Sequence, residues 1–407
     1  MSRLQVLLLL LQCFLHEVIP DWKVGRATYY GGPSTLSNTY DPARGKGSFG
    51  ILPYGSCGYT NSDGSMPFPK DAIAALADED DDYPGSCGRC YEVKCVTGVV
   101  QENPNKTIHI INGTFNGDKY RPYLASISSS YKDTYGRSWP GNPDEKEGLL
   151  YTKCWDQDKA LRIRIVDSCP CIQVLPDGAP GVKKGGEVRR QEWCCGGEHH
   201  FDLSYYAFEE LAHPVYGAMM LKYRPVDCVS GAELPSSPGY VSKTIFKDVP
   251  QPGWAWFPYK PLSTQVSVPG VAPDGSGATC VSVEGGGGLS FRCRDCYKPG
   301  YQPFAGASSV KFWIKQNDGS FIDQITPEVP QLKVFVYNQE KNQYCKREQI
   351  LANYLEQAGS WFRFTLPMSG FECGGGSVSQ NLLTAIAFQD VSGTISSFCV
   401  ADLVITT

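Results

Sequence analysis

Cysteine limits most tightly what this chain can fold into: there are seventeen in 407 residues. Cys13 lies inside the apolar run 4–15, which follows Arg3 and reads as the core of a signal peptide over residues 1–24 with no well-marked cleavage site. Setting it aside leaves an even number, as an oxidised, secreted, extracellular protein would have. Ten cysteines precede residue 230: Cys57, Cys87, Cys90, Cys95, Cys154, Cys169, Cys171, Cys194, Cys195 and Cys228. Six follow it: Cys280, Cys293, Cys296, Cys345, Cys373 and Cys399. Both sets are even, so each half can close its own bridges. A Pro/Ser/Gly stretch, 230–239, lies between them and fits a linker. The expected division is a first domain over 25–229, a linker over 230–243 and a second domain over 244–407.

The spacings Cys87-x-x-Cys90 and Cys169-x-Cys171, with Cys194-Cys195 and His199-His200, can also be drawn as zinc ligands. In an exported chain with paired counts they read as disulfides, and the expectation is no metal and no cofactor. The formal charge of −5 argues against nucleic acid or an anionic membrane as partner. The run 4–15 is too short to span a bilayer, and no later run is long and apolar enough. Two sequons, at Asn105 and Asn112, are compatible with secretion and glycosylation. The protein is expected to act as a monomer.

Only 19% of residues are charged, while Gly (43) and Pro (29) are plentiful, which suits a turn-rich β protein. In the first half Tyr91/Val93/Cys95, Leu161/Ile163/Ile165 and Met219/Leu221/Tyr223 each alternate with other residues, the mark of half-buried strands. Ser204 as N-cap with Phe208 and Leu211 or Ala212 behind it marks one helix. Short strands with little helix imply a small closed barrel. Residues 99–160 show no sustained period and read as a long insertion pinned by Cys154.

The second half is more plainly all-β. Phe312/Ile314, Leu332/Val334/Val336 and Phe362/Phe364/Leu366 form one face of three strands, and 398–405 reads as a closing strand. About eight such runs fit a β-sandwich of jelly-roll type. The opposite faces carry Trp313, Phe335, Tyr337 and Trp361 among Lys311, Lys333 and Arg363. Flat rings beside polar groups suit a pyranose platform. The same rings also suit a second sandwich wall, or a face covered by the Gly-rich run 285–288.

Several motifs then occur in order: Ala27-Thr-Tyr-Tyr-Gly31, Cys57-Gly-Tyr59, Cys87-Gly-Arg-Cys90-Tyr-Glu-Val-Lys-Cys95, Val166-Asp-Ser-Cys169, His200-Phe-Asp-Leu-Ser204 and Tyr223-Arg-Pro-Val-Asp-Cys228. As an ordered set over about 25–228 they resemble the double-psi β-barrel domain of expansins, which is related to family 45 glycoside hydrolases. The resemblance implies an all-β fold, a six-stranded double-psi β-barrel followed by a β-sandwich. It also implies a secreted protein that binds cell-wall polysaccharide, cellulose or another β-glycan, and loosens the wall with little hydrolysis.

By that resemblance Asp202 matches the acid that expansins need and the hydrolases use as general acid. Apolar surroundings would raise its pKa and the following helix N-terminus would lower it; a plain helix-capping role is the alternative. An inverting hydrolase needs a second carboxylate about 6.5–9.5 Å away. In the hydrolases it ends a Thr-x-Tyr-Trp-Asp pattern, and here Gly31-Gly32 stand where Trp-Asp would be. Asp167 is the substitute if there is one, or else a buried structural acid. Asp41, Asp63 and the run 78–82 read as solvated loop acids. Thr28 and Tyr30 match groove residues that bond glycan, while Trp193, Trp155 and Tyr59 can stack on sugars or pack on disulfides. Three readings stay open: non-hydrolytic loosening, hydrolysis or lytic transglycosylation through Asp202 and Asp167, and plain sugar binding with a vestigial barrel. The second half is longer than the usual expansin partner and looks like a jelly-roll carbohydrate-binding module, tethered to raise the barrel's local concentration at the wall.

Overall fold

The computed structural model describes residues 22–31, 55–103, 106–107, 110–111, 114–115, 132–141, 149–175, 187–190, 194–195, 198–234, 240–316, 328–373 and 378–407. The apolar run 4–15, the sequon residues Asn105 and Asn112, Asp41 and Trp193 lie outside the described residues. Among the described residues no helix is long and apolar enough to cross a membrane.

Six strands close the first half into a ring: β1 (Lys23–Tyr30), β2 (Ile73–Ala77), β3 (Cys90–Val96), β4 (Leu161–Cys169), β5 (His200–Ser204) and β6 (Met219–Val226). The ring order is β1-β5-β2-β4-β3-β6, with β1/β5 and β2/β4 parallel and the other pairs antiparallel. This is the expected six-stranded barrel. Alternation sends Ala27, Tyr29, Leu76, Tyr91, Val93, Ile163, Ile165, Phe201 and Leu203 into one apolar core. Helix α1 (Tyr205–Leu211) follows β5 directly. Ser204 caps it, its hydroxyl accepting from the Ala207 N–H at 3.0 Å.

One irregularity matters for function. Ile163 and Ile165 point inward, so strict alternation would send Asp167 inward too. A register shift between Ile165 and Asp167 breaks that parity, and Asp167 pairs with outward-facing Ala75.

The second half is a 12-stranded sheet curled on itself. Its main strands are β7 (Thr244–Lys247), β8 (Ala255–Val268), β9 (Ala278–Arg292), β10 (Ser309–Gln316), β11 (Leu332–Asn338), β12 (Gln343–Tyr344), β13 (Trp361–Pro367), β14 (Ala385–Asp390) and β15 (Ser396–Thr406). They run β12-β11-β14-β9-β15-β10-β13, with β8 on β9 and β7 on β15. Strand β9 serves both walls, pairing with β15 through 279–283 and with β14 through 288–292. The Gly-rich run 285–288 is therefore no covering loop but the bend inside β9. A Cβ on Gly285 would sit 2.4 Å from the Gly393 carbonyl oxygen, so the bend needs glycine there.

All sixteen cysteines from 57 onward pair, as the even counts imply. The bridges are Cys57–Cys87, Cys90–Cys228, Cys95–Cys154, Cys169–Cys194, Cys171–Cys195, Cys280–Cys399, Cys293–Cys296 and Cys345–Cys373. None links the two halves. The Cys95–Cys154 bridge anchors the 99–160 insertion. Its segment 132–141 is also held to α1, where the Thr134 N–H donates to Glu209 Oε2 at 2.9 Å and Arg137 reaches the Glu209 carbonyl at 2.5 Å.

A loose tether does not describe how the halves meet. Trp256 N–H donates to the Cys57 carbonyl at 2.9 Å and Gly253 N–H to the Cys87 carbonyl at 2.7 Å. Val266 N–H donates to Asn61 Oδ1 at 2.7 Å, and Gly85 N–H to the Arg294 carbonyl at 2.8 Å. Cys57, Tyr59 and Cys87 share one apolar cluster with Trp254, Trp256 and the sandwich core. A buried tryptophan removes roughly 150–250 Å² from water. At about 25 cal/mol per Å² that is about 4–6 kcal/mol each as an upper estimate. Gly58, at φ +76, lets the chains approach, since a Cβ there would lie 1.9 Å from the Trp256 carbonyl oxygen.

Candidate functional site

On the outer face of the barrel one line of side chains crosses four strands. Thr28 pairs with Asp202, Asp202 with Ala75, and Ala75 with Asp167. The two acids thus stand on one face, two strand spacings apart, with a small alanine between them. At about 4.8 Å per spacing their Cα atoms are roughly 9.6 Å apart.

The acids are held differently. Asp202 is half-buried, and Thr28 Oγ1 donates to its Oδ1 at 2.9 Å. Burial pushes its pKa up to about 7; the Thr28 bond opposes this and the Asp167 charge adds to it. Helix capping falls to Ser204, so Asp202 is not the cap of α1. Asp167 is also pushed up by burial, but its Oδ1 accepts from the Ser56 N–H at 2.6 Å and the Ser168 N–H at 2.8 Å. Arg294 of the sandwich favours its charged form, and donates to Ser168 Oγ at 3.3 Å. The buried Tyr30 hydroxyl has no hydrogen-bond partner among the described residues. Burial, then the charges of Asp167 and Asp202, raise its pKa, which places it beside both acids. Gly31 follows at φ +68, where a tryptophan would be strained.

A second surface lies on the outer face of the sandwich. Cross-strand register gives three rows: Tyr344, Tyr337, Ala385 and Arg292; Phe335, Ala387, Ser290 and Phe257; Lys333, Gln389, Gly288 and Tyr259. Aromatic rings on β11/β12 and on β8 therefore flank a floor of alanine, serine and glycine. Tyr337 and Tyr344 stack with centroids 5.0 Å apart, and Phe335 packs 5.5 Å from Tyr337. The Arg292 guanidinium sits 4.6 Å over Phe257 and donates from Nε to Ser290 Oγ at 3.2 Å. Ser290 Oγ also bonds the Tyr337 hydroxyl at 2.7 Å. Tyr344 is 46% exposed. The result is a trough with ring walls and a polar, small-residue floor, a form suited to a sugar chain.

No family model matches the chain. It is 24% identical over 208 residues to Expansin-A17 of Oryza sativa subsp. japonica, covering 51% of this chain and 46% of that one. It is 36% identical over 95 residues to Expansin-B11 of the same plant, covering 23% and 27%. The chain is expansin-like. It spans about half or less of the length of these curated relatives. Among solved structures, a family 29 carbohydrate binding module matches 40% of this expansin-like chain and 85% of its own, at 17% identity and a TM-score of 0.25. Variants of that module complexed with cellulohexaose and with mannohexaose match equally, at 16% and 15% identity and a TM-score of 0.25, over 40% of this chain and 87% and 88% of theirs.

The structure sorts the sequence-predicted residues of the expansin-like protein. It brings Thr28, Tyr30, Asp167 and Asp202 onto one face, and Phe335 and Tyr337 onto the other. Tyr59 is 1% exposed, its hydroxyl bonded to the Trp254 carbonyl and its ring against Phe68, so it seals the seam and has no face left for sugar. Trp313 and Trp361, 8% and 5% exposed, are likewise withdrawn. They pack under the segment 268–278 with Ala272, Ala278 and the Cys280–Cys399 bridge, and Trp361 Nε1 donates to the Val271 carbonyl at 3.0 Å. They form wall rather than platform. Trp155 is tied down by Glu209 and Arg137. The run 78–82 is not simply solvated either. Asp82 is buried, and Asp80 accepts from the His200 N–H at 3.2 Å and is pushed by burial up to about 8. Missed from sequence were Phe257, Tyr259, Tyr344, Arg292 and Gln389. Phe257 and Tyr259 were visible as alternation with buried Trp256.

Proposed function

We propose that this expansin-like protein is a secreted, extracellular monomer that grips cell-wall polysaccharide, cellulose or another β-glycan, and loosens it without hydrolysis. The observation that carries the reading is the inequality of the two acids. Asp202, with a pKa near 7, is a neutral donor in a mildly acidic wall and can bond a glycan oxygen. Asp167 has one oxygen tied to two backbone N–H groups and a guanidinium from the sandwich nearby. Those bonds fix Oδ1 in place and oppose, without outweighing, the rise that burial gives its pKa, so the two acids differ in how their oxygens are held. Protonating a glycosidic oxygen without an activated water leaves the bond intact, while a donor that replaces glycan–glycan hydrogen bonds weakens cohesion between chains. The rings of Phe257, Tyr259, Phe335 and Tyr344, with Tyr337 buried at 4% exposure as their support, supply grip.

The second reading is hydrolysis or lytic transglycosylation by Asp202 and Asp167. Their shared face favours it, because two acids two strand spacings apart on one face can point their carboxyls across a gap of the kind inverting enzymes use. Pull-down on a panel of insoluble wall polysaccharides, with reducing ends assayed in the same tubes, separates the two. Retention without new reducing ends is expected; reducing ends that rise with time and protein would replace loosening by cleavage.

A further inference from the structure

Donor chemistry sets the direction of the hydrogen bonds behind Asp202, starting from Arg26. Arg26 is 1% exposed, and its Nε lies 3.2 Å from His200 Nδ1. A guanidinium has no lone pair to accept with, so Arg26 donates and His200 Nδ1 accepts. A neutral imidazole with Nδ1 accepting carries its hydrogen on Nε2. His200 Nε2 is 3.1 Å from Thr28 Oγ1, so Thr28 accepts from it. The hydroxyl hydrogen of Thr28 is then free for Asp202, whose Oδ1 lies 2.9 Å away.

Strand register makes this a continuous row. Arg26 is the direct partner of His200 and Thr28 of Asp202 across the parallel pair β1/β5. With a period of two, all four side chains share the outer face. Burial, then the Arg26 charge and His199, push the His200 pKa down, so the ring stays neutral. Arg26 is anchored in turn, its Nη2 donating to the Cys195 carbonyl at 3.0 Å. Asp80 faces His200 through the backbone N–H, and Asp167 and Tyr30 face Asp202 from the cleft side.

We infer that Arg26 and His200 are positioning residues that act through Thr28 to fill Asp202 Oδ1 with an incoming hydrogen and so confine the carboxyl proton to Oδ2. A carboxyl whose Oδ1 receives a hydrogen bond places its own proton on the other oxygen. The inference rests on the reading of Asp202 as donor to polysaccharide, and it specifies which oxygen donates. It also makes Arg26 and His200, each 1% exposed, determinants of that donor's geometry.

Nitrogen-15 imidazole correlation spectra of the full-length protein near neutral pH test it directly, without a substitution. The expected His200 pattern is the neutral Nε2–H tautomer; an Nδ1–H tautomer or an imidazolium would overturn the inference. Carbon-13 carboxyl titration of Asp202 gives the second readout. Thr28→Val removes the donor to Oδ1 and should raise the midpoint by about one unit, with Thr28→Ser restoring it. A midpoint indifferent to Thr28→Val would also overturn it. Failure of the wall-loosening reading looks different: the tautomer and titrations stand while Asp202→Asn leaves wall mechanics untouched.

Discussion

On the barrel, the acid-bearing face is half-buried and polar, with a row of hydrogen bonds running from Arg26 through His200 and Thr28 to Asp202. On the sandwich, the trough is lined by rings around alanine, serine and glycine, and its outermost ring, Tyr344, is largely open to water. The first surface holds few groups and tunes them; the second offers area. Burial costs the barrel acids solvation and returns, at Asp202, a carboxyl that titrates near pH 7, whereas rings on a sheet surface keep their shape with no partner. Donor chemistry and grip are thereby placed on separate faces of a body whose halves share a core.

The sharpest way to break that comparison is Asp202→Asn. Wall creep should be abolished while retention on insoluble polysaccharide stays within about twofold, since an isosteric amide leaves the trough untouched. Loss of binding instead would move the grip to the barrel. Trp313→Ala separates wall from platform. It should lower unfolding free energy by about 3–5 kcal/mol in denaturant melts, with polysaccharide retention by the folded fraction unchanged.

The pH dependence of stability comes next. Asp80 and Asp202 have raised folded pKa values, about 8 and about 7, so their contribution is fully present below the unfolded value and fades as pH rises through these. His199 and His200 have lowered ones, so their contribution is present above about 6.5 and fades as pH falls. Between about pH 6.5 and 8 only the acids titrate among these four. Stability should therefore drop there by about 2 kcal/mol, and Asp80→Asn should remove most of the drop. Smallest is Tyr344→Ala, expected to weaken polysaccharide binding by about 1 kcal/mol, or fivefold, without moving the Asp202 titration.

How legible these features were follows their physics. The Ser204 cap and the alternating barrel strands could be read because caps and period-two patterns are local; Thr28 and Asp202 came from the resemblance to expansins, and their pairing across β1/β5 was not visible. The placement of Asp167 could not, because it depends on a bulge between Ile165 and Asp167 that alternation does not reveal. Alternation correctly put Trp313 and Trp361 on the second face of their strands. It could not say that 268–278, far along the chain, lies over them. The seam escaped for a similar reason: it runs through backbone groups of residues 57, 85, 87, 253 and 256, which no side-chain pattern marks. Phe257 and Tyr259 are trough residues only because β8 lies two strands from β14 and three from β11.

The most direct test of the central claim is wall extension under constant load, with reducing ends measured in the same bath, for the native protein, Asp202→Asn and Asp167→Asn. Extension by the native protein with no reducing ends, lost in Asp202→Asn, is the expected result. Reducing ends that accumulate in step with extension and vanish in Asp167→Asn would contradict it, because Asp167 would then be activating water.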